Sequence, residues 1–253
     1  MSQEPASHLV HLNDLIEQHC APEWKELLRE RNTQVTFRKG EHIFTDGQVA
    51  DRMYMIQHGR VKVVASYLKG VERIIRLAGD GEVLGHRGIG NEPIYTATAV
   101  ALSETQVNII PMQLFLSTLK ANNLLCYHFL LFFAEEVRVL DQRMRDLMNL
   151  DVAQRITQVL KMNMDIFGFD PVNKRKLAFT LSRKDIASAA GTTYESVIRT
   201  LSDLERQGII DMVGKEIRIL KKRELERVMK APAKNPVLSF PVLPFRPTGG
   251  GFL

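Results

Sequence analysis

Glu195 and Arg199 stand four residues apart, a spacing that stacks two side chains on one face of a helix. An Arg fork suits the O6 and N7 acceptors of guanine, and a carboxylate can accept from the N4 amino group of cytosine. Such a pair can read base edges if a short helix presents it to a major groove. The stretch Leu181–Leu201 has the residues to build and present that helix. Ser182 and Asp185 have the S-x-x-D spacing that opens a helix, and Gly191 suits its C-terminal end. Thr192 with Glu195 repeats the capping spacing and predicts a second helix. At about 100° per residue, Val197, Leu201 and Leu204 share one face of it, with Glu195, Ser196, Arg199 and Asp203 opposite. An ordinary helical corner, in which Arg199 only pairs with Glu195, fits these residues too.

Gly208-Ile209-Ile210 and Lys215–Leu220 predict two short strands around a turn at Val213-Gly214, a wing beside the second helix. Helix, turn, helix and wing in this order resemble the DNA-binding domain of the Crp/Fnr family of bacterial transcription regulators. Leu-Ser-Arg at 181–183, Ile-Ala-x-x-x-Gly at 186–191, Glu-x-x-x-Arg at 195–199 and Gly-Ile-Ile at 208–210 carry the resemblance. It implies that Ser182, Arg183, Lys184, Thr193, Tyr194, Glu195, Ser196, Ile198 and Arg199 meet double-stranded DNA. It also implies TGA-type half-sites, read as an inverted repeat by a two-fold homodimer.

From Thr33 to about Pro111 short β-rich runs alternate with glycines at 40, 47, 59, 70, 79, 81 and 85, the texture of an antiparallel barrel or roll. Phe37–Glu41, Gly47 and Met53–Val63 resemble the cyclic-nucleotide-binding roll of the same family. The segment Gly81–Ala97 then occupies the family's phosphate-binding cassette, and the resemblance implies a pocket of Leu84, Gly85, His86, Arg87, Tyr95 and Thr96. Cyclic-AMP-binding members use a Gly-Glu pair for the ribose and an Arg followed by Ser or Thr for the phosphate. Here His86 stands in place of the Glu and Tyr95 in place of the Arg, while Thr96 keeps the hydroxyl. Tyr does not replace a bidentate fork on a phosphodiester, so cyclic AMP is not the expected effector. Arg87 either serves another anionic effector or is an ordinary exposed or ion-paired Arg. His86 reads as a structural histidine rather than a haem ligand. A four-cysteine iron–sulfur cluster, the chemistry of the Fnr branch, is excluded within one subunit because the chain has two cysteines, Cys20 and Cys126. Neither has the basic neighbours of a thiol switch.

From Asn122 to about Leu150 one long helix is predicted. Cys126, Leu130, Phe133, Val137, Leu140, Met144 and Leu147 are spaced 4-3-4-3-4-3, a heptad seam flanked by Glu135, Glu136, Arg138, Asp141, Arg143 and Arg145. The seam from Leu130 to Leu147 is the expected dimer interface, although packing on the chain's own roll would use some of the same face. In nucleotide-binding relatives a Thr-Ser pair on this helix touches the effector, and Leu140-Asp141 takes its place here. A helix over Val152–Asp165, a loop over Gly168–Asn173 and a short strand at Leu177–Thr180 follow. The resemblance makes Phe169, Asp170 and Val172 of that loop an RNA-polymerase contact.

The resulting expectation is an α+β chain of a β-roll sensor with N-terminal helices (1–120), a dimerisation helix and hinge (121–150), a winged helix-turn-helix (151–230), and a Pro/Gly-rich tail (231–253). Half the ten prolines fall in the tail, which is expected to be extended or disordered. Between Asp151 and Lys230, 16 Lys and Arg stand against 11 Asp and Glu, whereas residues 1–150 hold 16 against 18. The basic surplus thus surrounds the proposed reading helix, as binding to phosphates requires. No G-x-S-x-G, P-loop or metal-spaced His/Cys set occurs, so no catalytic residue, metal or cofactor is expected. No apolar run approaches a membrane span and no signal peptide is apparent, which makes the cytoplasm the expected location. The rival readings are a cyclic-nucleotide-responsive regulator with a non-standard pocket and a cyclic-nucleotide-binding subunit gating a kinase or channel; the second leaves the helix-turn-helix without a role.

Overall fold

The computed structural model describes residues 11–67 and 70–231. Helices α1 (Leu12–His19) and α2 (Pro22–Glu30) are separated at Ala21, and Pro22 opens α2, where its missing N–H costs nothing. Eight strands follow: β1 (Thr33–Phe37), β2 (His42–Phe44), β3 (Arg52–His58), β4 (Val61–Tyr67), β5 (Val71–Ala78), β6 (Val83–Leu84), β7 (Thr98–Ala101) and β8 (Thr105–Pro111). They form two four-stranded antiparallel sheets, ordered β1-β8-β3-β6 and β2-β7-β4-β5. Ile56, Val61, Leu84, Ala99 and Val107 fill the space between them. At Gly59 (φ 136°) a Cβ would lie 2.6 Å from the Thr105 Cα, so the turn between β3 and β4 admits only glycine.

Helix α3 (Met112–Ala121) leads into the 27-residue α4 (Asn123–Asn149). Leu125, Phe129 and Phe132 of α4 pack with Leu12, Ile16 and Phe115 in a second core that ties the N-terminal helices to the roll. Asn122, between α3 and α4, accepts from the Ala21 N–H at 2.8 Å and fixes the entry to α2.

The C-terminal module comprises α5 (Val152–Phe167), α6 (Arg183–Ala190), α7 (Tyr194–Arg206), β9 (Ile210–Val213), β10 (Glu216–Ile219) and α8 (Lys222–Lys230). The wing hairpin pairs Ile219 with Ile210 and Glu216 with Val213, and Gly214 (φ 61°) lies in its turn. The strand predicted at Leu177–Thr180 is not formed. Leu177 N–H donates to Ile217 O while Ala178 N–H donates to Gly168 O, so the segment divides its bonds between two neighbours and builds no ladder. The expected tail, beyond Ala231, lies outside the described residues.

Roll and C-terminal module share one core. Val64, Ile74, Leu77 and Leu102 of the roll are buried in the same cluster as Ile156, Leu160, Ile186, Val197 and Leu201. Polar bonds stitch the boundary: Lys62 Nζ to Asp185 at 2.6 Å, and the Ser188 hydroxyl, which accepts from Ile74 N–H at 3.0 Å and donates to Glu72 O at 3.2 Å. Arg155 donates to Leu150 O (2.8 Å) and Ala190 O (2.9 Å), joining the residue that caps α4 to the last residue of α6.

Candidate functional site

The helix-turn-helix is built locally by its caps. Ser182 Oγ accepts from Asp185 N–H at 3.1 Å and starts α6, but the Asp185 carboxylate goes to the Ser182 hydroxyl and Lys62 rather than completing a capping box. Gly191 takes the left-handed conformation (φ 62°, ψ 43°) that ends α6. The predicted cap at Thr192 is displaced by one residue. Thr192 N–H is bound to Ala187 O, which makes it part of the α6 terminus, and Thr193 Oγ1 caps α7 by accepting from Ser196 N–H at 3.3 Å.

Helix α7 buries Val197, Thr200, Leu201 and Leu204 and turns Tyr194, Glu195, Ile198 and Arg199 to solvent. Among the described residues the one ion pair within α7 joins Arg206 to Asp203, so Glu195 and Arg199 are not spent on each other. The Glu195 carboxyl is held below its usual range by its own backbone N–H and the Thr193 hydroxyl. Ser182, Lys184 and Thr193 are exposed beside them, and Ser196 is half-buried. Arg183 is half-buried. Its guanidinium donates to Lys215 O at 3.1 Å and reaches Met212 Sδ at 3.4 Å, bracing α6 against the wing. Burial there lowers its pKa.

The roll holds a cavity of about 50 Å³ whose wall includes Leu84, Gly85, His86, Arg87, Tyr95 and Thr96, the set named from the sequence. Tyr95 is 3% exposed and stacks on Phe44 at 4.2 Å. Its hydroxyl donates to Arg52 O at 2.8 Å, and burial pushes its pKa up, so it offers the cavity no charge. Leu140 and Asp141 do not line the cavity; both are exposed on α4, one turn or more beyond the residue that does reach this corner of the roll.

That residue is Glu136, placed by the sequence reading on the flank of the seam. It is 3% exposed. Its carboxylate accepts from His86 Nε2 at 2.7 Å and Arg87 Nε at 3.1 Å, and Arg76 lies 3.3 Å from its other oxygen. Arg76 also bonds Glu82 at 3.1 Å. Arg143, likewise expected on the flank, is half-buried and donates to Ile75 O and Met162 Sδ. The signal was present: Leu125, Phe129, Phe132 and Glu136 are spaced 4-3-4, a core-facing row of α4 that ends in a charge.

Burial would raise the Glu136 pKa, but the His86 hydrogen bond and the neighbouring positive charges overcome it and hold the carboxyl far below 4.5. Burial also lowers His86 from 6.5, against the pull of Glu136. Both groups bind protons less readily folded than unfolded, so falling pH favours the unfolded chain. Their contribution is full above the ordinary His value of 6.5 and shrinks below it, first through His86 and then through Glu136. The melting temperature is expected to fall on acidification, and His86→Gln to flatten the upper part of that slope. Identical slopes for variant and wild type would refute the assignment.

On α4 the seam residues Leu130, Val137, Leu140, Met144 and Leu147 are all exposed, Leu130 by 64% and Met144 by 60%. Phe133 is half-buried and packs on the core beneath, so it belongs partly to the roll. Among the described residues no group of three or more His, Cys, Asp or Glu is placed to hold a metal, and no helix is long and apolar enough to cross a membrane.

The sequence matches the cyclic nucleotide-binding domain family model over residues 34–122 and the Crp-like helix-turn-helix domain model over residues 152–228. It is 24% identical over 208 residues to the cyclic AMP receptor protein of Thermus thermophilus, covering 82% of this chain and 93% of that one. The fold is similar to that of FixK2 from Bradyrhizobium japonicum, with TM-score 0.71, 23% identity and coverage of 80% and 99% of the two chains. It is also similar to a Crp/Fnr-family regulator structure from Eubacterium rectale, with TM-score 0.68, 17% identity and coverage of 83% and 95%. With a nucleotide-binding-type roll, a long helix and a Crp-like reading module in this order, the chain belongs to the Crp/Fnr family of transcription regulators and carries its helix-turn-helix DNA-binding domain.

Proposed function

We propose that the protein acts in the cytoplasm as a homodimeric regulator that reads an inverted repeat of TGA-type half-sites through α7. The observation that carries this reading is the outer face of α7, where Glu195 and Arg199 are exposed and unpaired within a locally basic module. A two-fold dimer formed along the α4 seam would present two such faces about one helical turn, ~34 Å, apart. Residues 1–120 would serve as sensor, 121–150 as dimer helix and hinge, and 151–230 as reading module. The loop holding Phe169, Asp170 and Val172 suits an RNA-polymerase contact, since Val172 is 92% exposed. Selection from random duplexes with the wild-type protein is expected to enrich a palindrome with TGA-type halves; no enrichment would sink the regulator reading.

Cyclic AMP is expected to bind poorly at the roll. Tyr95 stands where an Arg would hold the phosphate, and its hydroxyl is committed to Arg52. Losing charge-assisted bonds to a buried phosphate costs on the order of 3 kcal/mol, more than roughly a hundredfold in affinity. Calorimetry showing tight, roughly micromolar binding would overturn this.

A further inference from the structure

We propose that the roll carries its own anion: the Glu136 carboxylate, delivered by the long helix, neutralises the basic residues of the cavity wall and holds the protein ready to read DNA without a small-molecule effector. The inference rests on the reading of α7 given above.

Two guanidinium groups, Arg76 from β5 and Arg87 from the short turn after β6, gather with His86 at the cavity wall, and two carboxylates, Glu82 and Glu136, answer them. Without Glu136, Arg76, Arg87 and His86 would face one carboxylate at the cavity wall, an arrangement suited to an anion. With it, the oxygens of one carboxylate meet an imidazole N–H and two guanidinium groups. The remaining cavity, about 50 Å³, has room for a few waters at ~10–15 Å³ each. Tyr95 and Phe44 close its other side.

The cluster is also mechanically connected. Glu136 and Arg143 lie seven residues apart on the same side of α4, and Arg143 reaches both the β5 backbone and Met162 of α5. The helix that supplies the anion therefore also grips the roll and the reading module. In this arrangement α6 is docked on β5 while the outer face of α7 stays clear of the roll.

The test compares wild type with Glu136→Gln, which keeps the shape and removes the charge, using inorganic phosphate at constant ionic strength as probe. Native mass spectrometry of the wild-type dimer on its selected operator should show two chains and the duplex with no added small molecule. Phosphate should leave its affinity unchanged. Glu136→Gln should bind the same operator at least roughly tenfold more weakly, because breaking a buried ion cluster strands its partners, and should regain affinity with phosphate. A stoichiometric small molecule whose removal abolishes wild-type binding would overturn the proposal, as would a Glu136→Gln protein that binds like wild type. If Glu136→Gln does not fold, the wild-type mass and its response to phosphate decide. If no operator exists, the DNA reading fails, and melting still decides the counter-ion role. Phosphate must then raise the melting temperature of Glu136→Gln and leave that of the wild type unchanged.

Discussion

Replacing Leu140 with Glu is expected to leave the subunit folded and to split the protein into monomers. Leu140 is exposed in the single chain, so the substitution removes little from the subunit's own core. In a dimer built on the α4 seam, two-fold symmetry would bring each new carboxylate to its own copy with no counter-ion, a contact disfavoured at any pH above the carboxylate range. A monomer reads one half-site and forfeits the effective concentration that linkage provides, so operator affinity should fall by roughly 10²–10⁴. Sedimentation and anisotropy titration measure the two effects separately. A wild-type protein that sediments as a monomer at roughly micromolar concentration, where a family dimer should persist, would refute the seam.

The second large effect is expected at Arg199. Its guanidinium is exposed on α7 and no ion pair with Glu195 occupies it, so nothing in the subunit is stranded by its removal. Arg199→Ala should cost about 1–3 kcal/mol on the preferred operator and relax the preference at one guanine. Lys184→Ala, at an exposed position on α6, should instead weaken binding to every sequence alike and reduce the salt dependence. An unchanged consensus for Arg199→Ala in selection from random duplexes would assign Arg199 to solvent.

The reading module was the part most readily derived from residue order, because its signals are local. Ser182, Gly191 and the Val197-Leu201-Leu204 row each act within a few residues, and each sits where its chemistry requires. The cap of α7 was misplaced by one residue because two threonines adjoin, and only the closing bond of α6 decides which is free. The strand at Leu177–Thr180 failed for a related reason: composition favours extension, but partners for a ladder are a matter of tertiary arrangement.

The cavity wall holds Leu84, Gly85, His86, Arg87, Tyr95 and Thr96 but neither Leu140 nor Asp141, and Arg87 takes the ion-paired alternative through a carboxylate that the sequence leaves on the flank of the seam. Which side of α4 faces the roll cannot be told from a heptad count when two apolar rows run side by side. One row, Leu130 to Leu147, faces outward, and the other, Leu125-Phe129-Phe132, ends in Glu136. A carboxylate on a helix is ordinarily solvated, and only contact with residues about fifty positions away makes this one a buried counter-ion. The bond of Arg183 to the wing is hidden from the sequence in the same way, since its partner carbonyl is thirty-two residues distant.

The core shared between roll and reading module constrains any hinge at the end of the proposed 121–150 segment. Swinging the module away would return Val64, Ile74, Leu77 and Leu102 to water, together with the side chains that cover them. At about 1.5–3 kcal/mol for each fully exposed side chain, even partial exposure of these four costs on the order of 5 kcal/mol. Fewer than roughly one molecule in a thousand would then be swung open at equilibrium. A hinge at this place would be a locked joint, and the reading helix would reorient only by sliding one packed surface over another.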